Sequence, residues 1–294
     1  MLLVFVTAVF ACVLVASVVV VSANQTSQSP GPTQPNSPTG GPQTPNIPFR
    51  QLAFGSLATS GRLPEVVTKD GKQAYEVLMR KGLIHDSTAF MYMRPPQFFP
   101  SDTCRVRFRL KFDDRFEWSG SATRNVSGKI AGFMIGNGPA SGGKFSTTGA
   151  SYRLTFYRDR GAKAYLYPQL RQNFEGGSPP WSLLNQSPEL VEQSYVSSGV
   201  HVFAPNRRPQ LSFQMGVWND VQMLCKLNSP GKFDGVMELS INGESRRLTT
   251  VRYRDTPIKI TSFLVAPFFG GSTQNYAPGT DINMWFADFG FALQ

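Results

Sequence analysis

The chain has 294 residues and a formal net charge of +10, yet only 16% of its residues are charged, and 27 Gly and 22 Pro interrupt it. This composition excludes a coiled coil or helical repeat, and a hydrophobic share of 41% excludes a wholly disordered chain. No charged side chain precedes Arg50, so the whole excess of cations falls on residues 50–294, where nucleic acid, anionic lipid or an acidic polymer is the usual partner.

Residues 2–21 are almost wholly apolar, and Val21-Ser22-Ala23 sets small residues where a signal peptidase cuts. The run is also long enough to span a bilayer and lacks a charged flank before it. Residues 1–23 are therefore read as a cleaved signal peptide or a retained membrane anchor. Either one exports the remainder, as a secreted protein or one anchored at an exported surface. Residues 24–49 hold seven Pro, three Gly and seven Ser or Thr, too little apolar area to offset ordering, and read as an extended linker.

From residue 50 onward the pattern is that of strands. In 104–112, Val106, Phe108, Leu110 and Phe112 alternate with Arg105, Arg107, Arg109 and Lys111. The four cations are expected on a solvated outer face, with a binding surface as the alternative. Further strands are predicted over 132–135, 151–157, 162–168, 210–215, 220–227, 236–241, 248–254, 258–266 and 281–289. One short helix is predicted over 187–193, with Pro188 at its first position. Asn242-Gly243 suits a two-residue hairpin turn. Many strands joined by Gly/Pro turns, without alternating helices, predict one all-β domain over 50–294, an antiparallel β-sandwich or jelly roll.

No G-x-S-x-G, P-loop or H-E-x-x-H motif occurs, and no metal or cofactor is called for, since there is no CxxC pair and only His85 and His201 are available. Cys104 and Cys225 fall in predicted strands and are read as either a disulfide or two buried thiols. Nucleic-acid binding ranks last, because no recognised module is present and the chain reads as exported.

The segment 128–169 carries the chemistry. Ser151, Arg153, Thr155 and Tyr157 share one face of a strand, and Tyr165 and Tyr167 share one face of the next. The strands join at Asp159-Arg160-Gly161, and Lys129 opens an earlier strand. Such a set suits β-elimination on a uronic acid polymer. A cation neutralises the carboxylate so that the C5 proton becomes acidic, a base removes that proton, and an acid protonates the leaving O4. Arg153 offers a bidentate fork, Lys129 a second cation, and the tyrosines serve as acid or base if nearby cations lower their pKa. Ser151 is expected to bind the sugar or orient a neighbour.

The same residues resemble polysaccharide lyase family 14, whose pattern runs Gly-Lys, then Ser-x-Arg, then Tyr-x-Tyr. Here these are Gly128-Lys129, Ser151-Tyr152-Arg153 and Tyr165-Leu166-Tyr167. Gly216-Val217-Trp218-Asn219, Asp234-Gly235, Ile241-Asn242-Gly243 and Phe268-Phe269-Gly270-Gly271 extend the likeness over about 104–291. After Lys129 the family pattern has a Pro-Gly turn, whereas this chain has Ile130-Ala131-Gly132-Phe133. The resemblance implies a jelly roll whose concave face binds an anionic uronate polysaccharide, alginate or polyglucuronate, with Lys129, Ser151, Arg153, Tyr165 and Tyr167 as catalytic residues. Tyr92, Trp181 and Tyr195 are candidates to stack on sugar rings. The alternatives are a non-catalytic carbohydrate-binding or attachment protein on the same scaffold, and a structural virion component.

Overall fold

Strand alternation sets the architecture. The computed structural model describes residues 49–293 apart from 53–56, 58, 87, 122, 139, 175–177 and 204–210. The expected leader and all but the last residue of the linker lie outside the described residues. In chain order the strands are β1 (Arg50–Gln51), β2 (Thr59–Arg62), β3 (Glu65–Lys69), β4 (Lys72–Met79), β5 (Phe90–Met93), β6 (Thr103–Phe112), β7 (Ser127–Gly136), β8 (Gly149–Tyr157) and β9 (Gly161–Tyr167). Two short helices follow, α1 (Trp181–Leu184) and α2 (Pro188–Glu192). Then come β10 (Ser194–Val196), β11 (Val200–Val202), β12 (Leu211–Ser212), β13 (Asn219–Lys226), β14 (Gly235–Ile241), β15 (Glu244–Val251), β16 (Ile260–Phe269) and β17 (Ile282–Ala292).

These pair antiparallel into two sheets. One runs β15-β14-β13-β6-β17-β4-β3, with β1 on β17; the other runs β10-β11-β9-β8-β7-β16-β5-β2, with β12 on β9. Their inner faces meet in a core rich in phenylalanine. Phe108 of β6 packs on Phe263 of β16 across the layers at 5.8 Å, and on Phe286 and Phe289 of its own sheet. Phe108→Ala is expected to lower unfolding free energy by about 3–5 kcal/mol, read as a shifted denaturant midpoint with an unchanged slope.

The outer face of β6 differs from a plainly solvated one. Arg105 and Lys111 are buried, and each is held by an acid: Arg105 by Glu238 at 3.4 Å, Lys111 by Asp70 at 2.8 Å. Arg109 pairs with Asp288 at 3.6 Å, and Arg107 lies over the Phe49 ring. Cations already spent on carboxylates do not make a free anion surface. Cys104 and Cys225 face each other in register as free, buried thiols, and burial raises both pKa values.

Turn chemistry explains several motifs. Asn242 and Gly243 have φ of 52° and 88°, as a tight hairpin requires. Asn219 accepts from Gln214 N–H at 2.7 Å and from Asn242 Nδ2 at 2.9 Å, so the Gly-Val-Trp-Asn and Asn-Gly segments pin each other and serve the fold. Helix α2 starts as predicted, with Pro188 at its first turn and Ser187 capping Leu190 N–H. The predicted strand 210–215 shrinks to two residues, and seven strands went unpredicted: β1 to β5, β10 and β11.

Candidate active site

The site grows from the β8–β9 hairpin. Arg158, Asp159 and Arg160 join the paired Tyr157 and Gly161, with Asp159 and Arg160 at φ of 58° and 63°, and this short turn fixes the register. Ser151 then lies opposite Tyr167, Arg153 opposite Tyr165, and Thr155 opposite Lys163. Tyr152, Leu154 and Phe156 enter the core, which leaves Ser151, Arg153 and Thr155 on the outer face.

Lys129 reaches that face through a β-bulge. Strand β7 pairs Lys129 with Thr155 and Ala131 with Leu154, so Ile130 is the extra residue. Ile130 and Ala131 both turn into the core, while Lys129 and Gly132 face outward. This is where the sequence lacks the Pro-Gly of the family pattern. Gly132 sits beside Arg153, and a Cβ there would come within 2.8 Å of Arg153 Cδ and 2.1 Å of Tyr152 O. The glycine lets the arginine lie flat across β7.

The five expected residues converge. Lys129 Nζ is 3.5 Å from the Tyr167 hydroxyl, and 5.1 and 5.0 Å from the Tyr165 and Tyr167 ring centres, within cation–π range. The two tyrosine rings are 5.0 Å apart. The loop between β7 and β8 closes over them: Lys129 donates to Ser141 Oγ at 3.1 Å, and Gly143 N–H donates to the Tyr167 hydroxyl at 3.0 Å. Ser151 is wholly buried and donates to the Ala140 carbonyl. Its hydroxyl thus anchors this loop and is not offered to a sugar. Tyr165 shares a hydrogen bond of 2.8 Å with Ser198, and a Cβ at Gly199 would lie 2.0 Å from its ring.

Electrostatics set this face apart from the rest of the protein. Lys129 is 8% exposed, Arg153 1% and Lys163 2%. None of the three forms an ion pair with a carboxylate of the described residues. Arg153 has one long hydrogen bond, from Nη2 to the Ala266 carbonyl at 3.4 Å, and its Nε has no partner. Burial, then repulsion from Arg153, lowers the Lys129 ammonium to about 7. Burial lowers Arg153 to about 10 and Lys163 to about 8. Burial also raises both phenols, overriding at Tyr167 the hydrogen bonds with Tyr165 and Gly143 and the Arg153 charge. The expectation that cations would bring the tyrosines toward working pH is thereby corrected. The group set to lose its proton near neutrality is the Lys129 amine.

Two clefts, of about 1140 and 460 Å³, open on this face and meet at His85 and Phe268, which line both. Arg153 and Tyr92 border the larger, and Lys129, Tyr165, Tyr167 and Tyr195 border the smaller. Trp181 packs against the core instead. Among the described residues no cluster of three His, Cys, Asp or Glu could hold a metal ion. Sequence reasoning missed Lys163, although strand alternation from Tyr165 puts it on the same face. It also missed Ser141, Ser198 and His201, which arrive from loops and a strand with no local signal.

A model of the family described as polysaccharide lyase 14 matches residues 68–289. The chain belongs to polysaccharide lyase family 14. Its relatives among solved structures include alginate lyase vAL-1 from a Chlorella virus, with 20% identity and a TM-score of 0.61 over 82% of this chain and 94% of that one. A second is the family 14 alginate lyase of Aplysia kurodai, with 19% identity and a TM-score of 0.63 over 81% of this chain and 90% of that one. These likenesses establish the family's two-sheet β-sandwich as the fold. Among curated sequences, Exolysin of Paramecium bursaria Chlorella virus 1 is 27% identical over 194 residues, which cover 59% of this chain and 26% of that protein. The chain thus spans about a quarter of the relative it matches.

Proposed function

We propose that this family 14 chain is a lyase that cleaves a uronate polysaccharide by β-elimination. One observation carries the reading: three nearly buried cations without carboxylate partners share one outer sheet face with two buried phenols. Burying unpaired charge is costly, and an anionic ligand offsets that cost. In this scheme Arg153 grips the uronate carboxylate and stabilises the charge that develops on loss of the C5 proton. Lys129, as the free amine, takes that proton. The C4–C5 double bond forms as the C4–O4 bond breaks, and Tyr167, still protonated, gives its proton to O4. The 3.5 Å contact between Tyr167 and Lys129 then resets both groups. Tyr165, held by Ser198, flanks the pair and shapes the sugar site.

The apolar leader adds export to this reading, so that the substrate is met outside the cytoplasm, in matrix or algal cell wall, by a secreted or anchored enzyme. The experiment is ultraviolet absorbance of the unsaturated sugar during incubation with alginate, polyglucuronate and polygalacturonate in turn. Alginate comes first because two similar structures are alginate lyases. Growth of absorbance on at least one polymer is expected. Binding without any absorbance change would leave a carbohydrate-binding module in place of an enzyme.

A further inference from the structure

Lys163 takes no part in the chemistry above, yet it is built into the same face. It precedes Tyr165 by two residues on β9, so its side chain emerges about 7 Å further along the strand. Its cross-strand neighbour is Thr155, which in turn pairs with Lys129. The ammonium sits 4.2 Å above the Tyr157 ring and donates to the Tyr195 hydroxyl at 3.3 Å. That leaves the Tyr195 proton free to point into the smaller cleft, which Lys163, Thr155 and Tyr195 all line. Beside them His201 stacks on Tyr195 at 4.4 Å and meets the edge of Tyr165 at 4.2 Å. Its buried Nδ1 has no partner. Burial first, and then Lys163 and Lys129, lower His201 to about 2, so the ring is neutral and adds no charge.

A methionine would fill the same space without the cost of a buried charge. A buried ammonium that no carboxylate of the described residues balances suits an anionic group, one strand step from the reacting groups. We infer that Lys163 and Tyr195, with Thr155 and His201 around them, form a second carboxylate site for a sugar unit flanking the one cleaved. The inference rests on the proposed reading of the face as a uronate-binding groove. It adds a requirement the chemistry alone does not impose: two acidic units, not one, are recognised together. Neutral sugars or widely spaced uronates then bind poorly even where the central unit fits.

The test is calorimetric titration of the full chain, in a Tyr167→Phe background that suppresses cleavage, with and without Lys163→Met. The probes are a mannuronate tetrasaccharide, a glucuronate tetrasaccharide and their carboxyl-reduced counterparts. Loss of one charge-assisted contact should weaken binding of the preferred acidic probe about 10- to 100-fold, leave binding of the reduced probe unchanged, and flatten the salt dependence. Lys163→Arg should stay within a few-fold of the parent, and Lys163→Met should melt no lower than it, which removes misfolding as an explanation. Equal affinity of parent and Lys163→Met for the acidic probe overturns the inference, as does failure of the parent to bind either acidic probe. Production of unsaturated sugar, assayed in parallel with Tyr167 intact, separates the two ideas. Turnover with no Lys163 effect on binding sinks only the second site, and a Lys163 effect without turnover sinks only the lyase.

Discussion

Replacing Arg153 by Met is expected to lower lyase activity by at least about a hundred- to a thousandfold and, at the same time, to raise the melting temperature of the ligand-free protein. The two effects share a cause. Arg153 is 1% exposed, lacks a carboxylate partner, and leaves its Nε unsatisfied. Buried without a balancing carboxylate it is a liability, and burial lowers its pKa to about 10. An apolar side chain of similar length removes that penalty, and such exchanges of buried charge are neutral or stabilising by about 1–4 kcal/mol. Uronate oligosaccharide should then raise the melting temperature of the parent and not of Arg153→Met. A variant that melts well below the parent would make the guanidinium a structural strut, whatever its activity.

Lys129 gives the second large effect. If the free amine removes the C5 proton, kcat/KM rises with pH along a limb near 7, the value to which burial lowers the free enzyme's ammonium. Lys129→Met should lose about 10²–10⁴ in rate, and any residual activity should lack that limb. Stability responds to the same group. The folded pKa lies below the ordinary lysine value of 10.5, so between about 7 and 10.5 the unfolded chain holds a proton that the folded chain has shed. Stability from this group therefore rises with pH across that window, and its cost is fully present below 7. Lys129→Met should remove that rise. Denaturant titrations of both proteins across the window check the sign, and a Lys129 contribution that falls as pH rises would contradict it.

The fold was legible where alternation was strong and long. Strands β6, β9, β13 and β14 were predicted within a residue of each end, and β8 within two, because the side chains there follow the pleat. Short strands such as β2 and β10 at the sheet edges, and β11 beside β10, carry too few residues to show a period, and tertiary pairing alone makes them strands. The site divides in the same way. Ser151, Arg153, Tyr165 and Tyr167 were readable because one hairpin holds them and its turn fixes their register. Lys129 was readable as a cation at the start of a strand, but its facing was not, since the bulge at Ile130 breaks the parity that simple alternation assumes. The direction of the tyrosine shifts was not readable at all. It depends on how far the β7–β8 loop, anchored by Ser151 and closed by Gly143, shuts out water, which no local spacing encodes.

The most direct measurement is the mass of the fragments released from the preferred polyuronate. Elimination on the Arg153 face leaves each new non-reducing end lighter by one water than a hydrolysed end, and fragments of that mass are the expected product. Fragments with hydrated ends, or an intact polymer with all three polyuronates, would contradict the account.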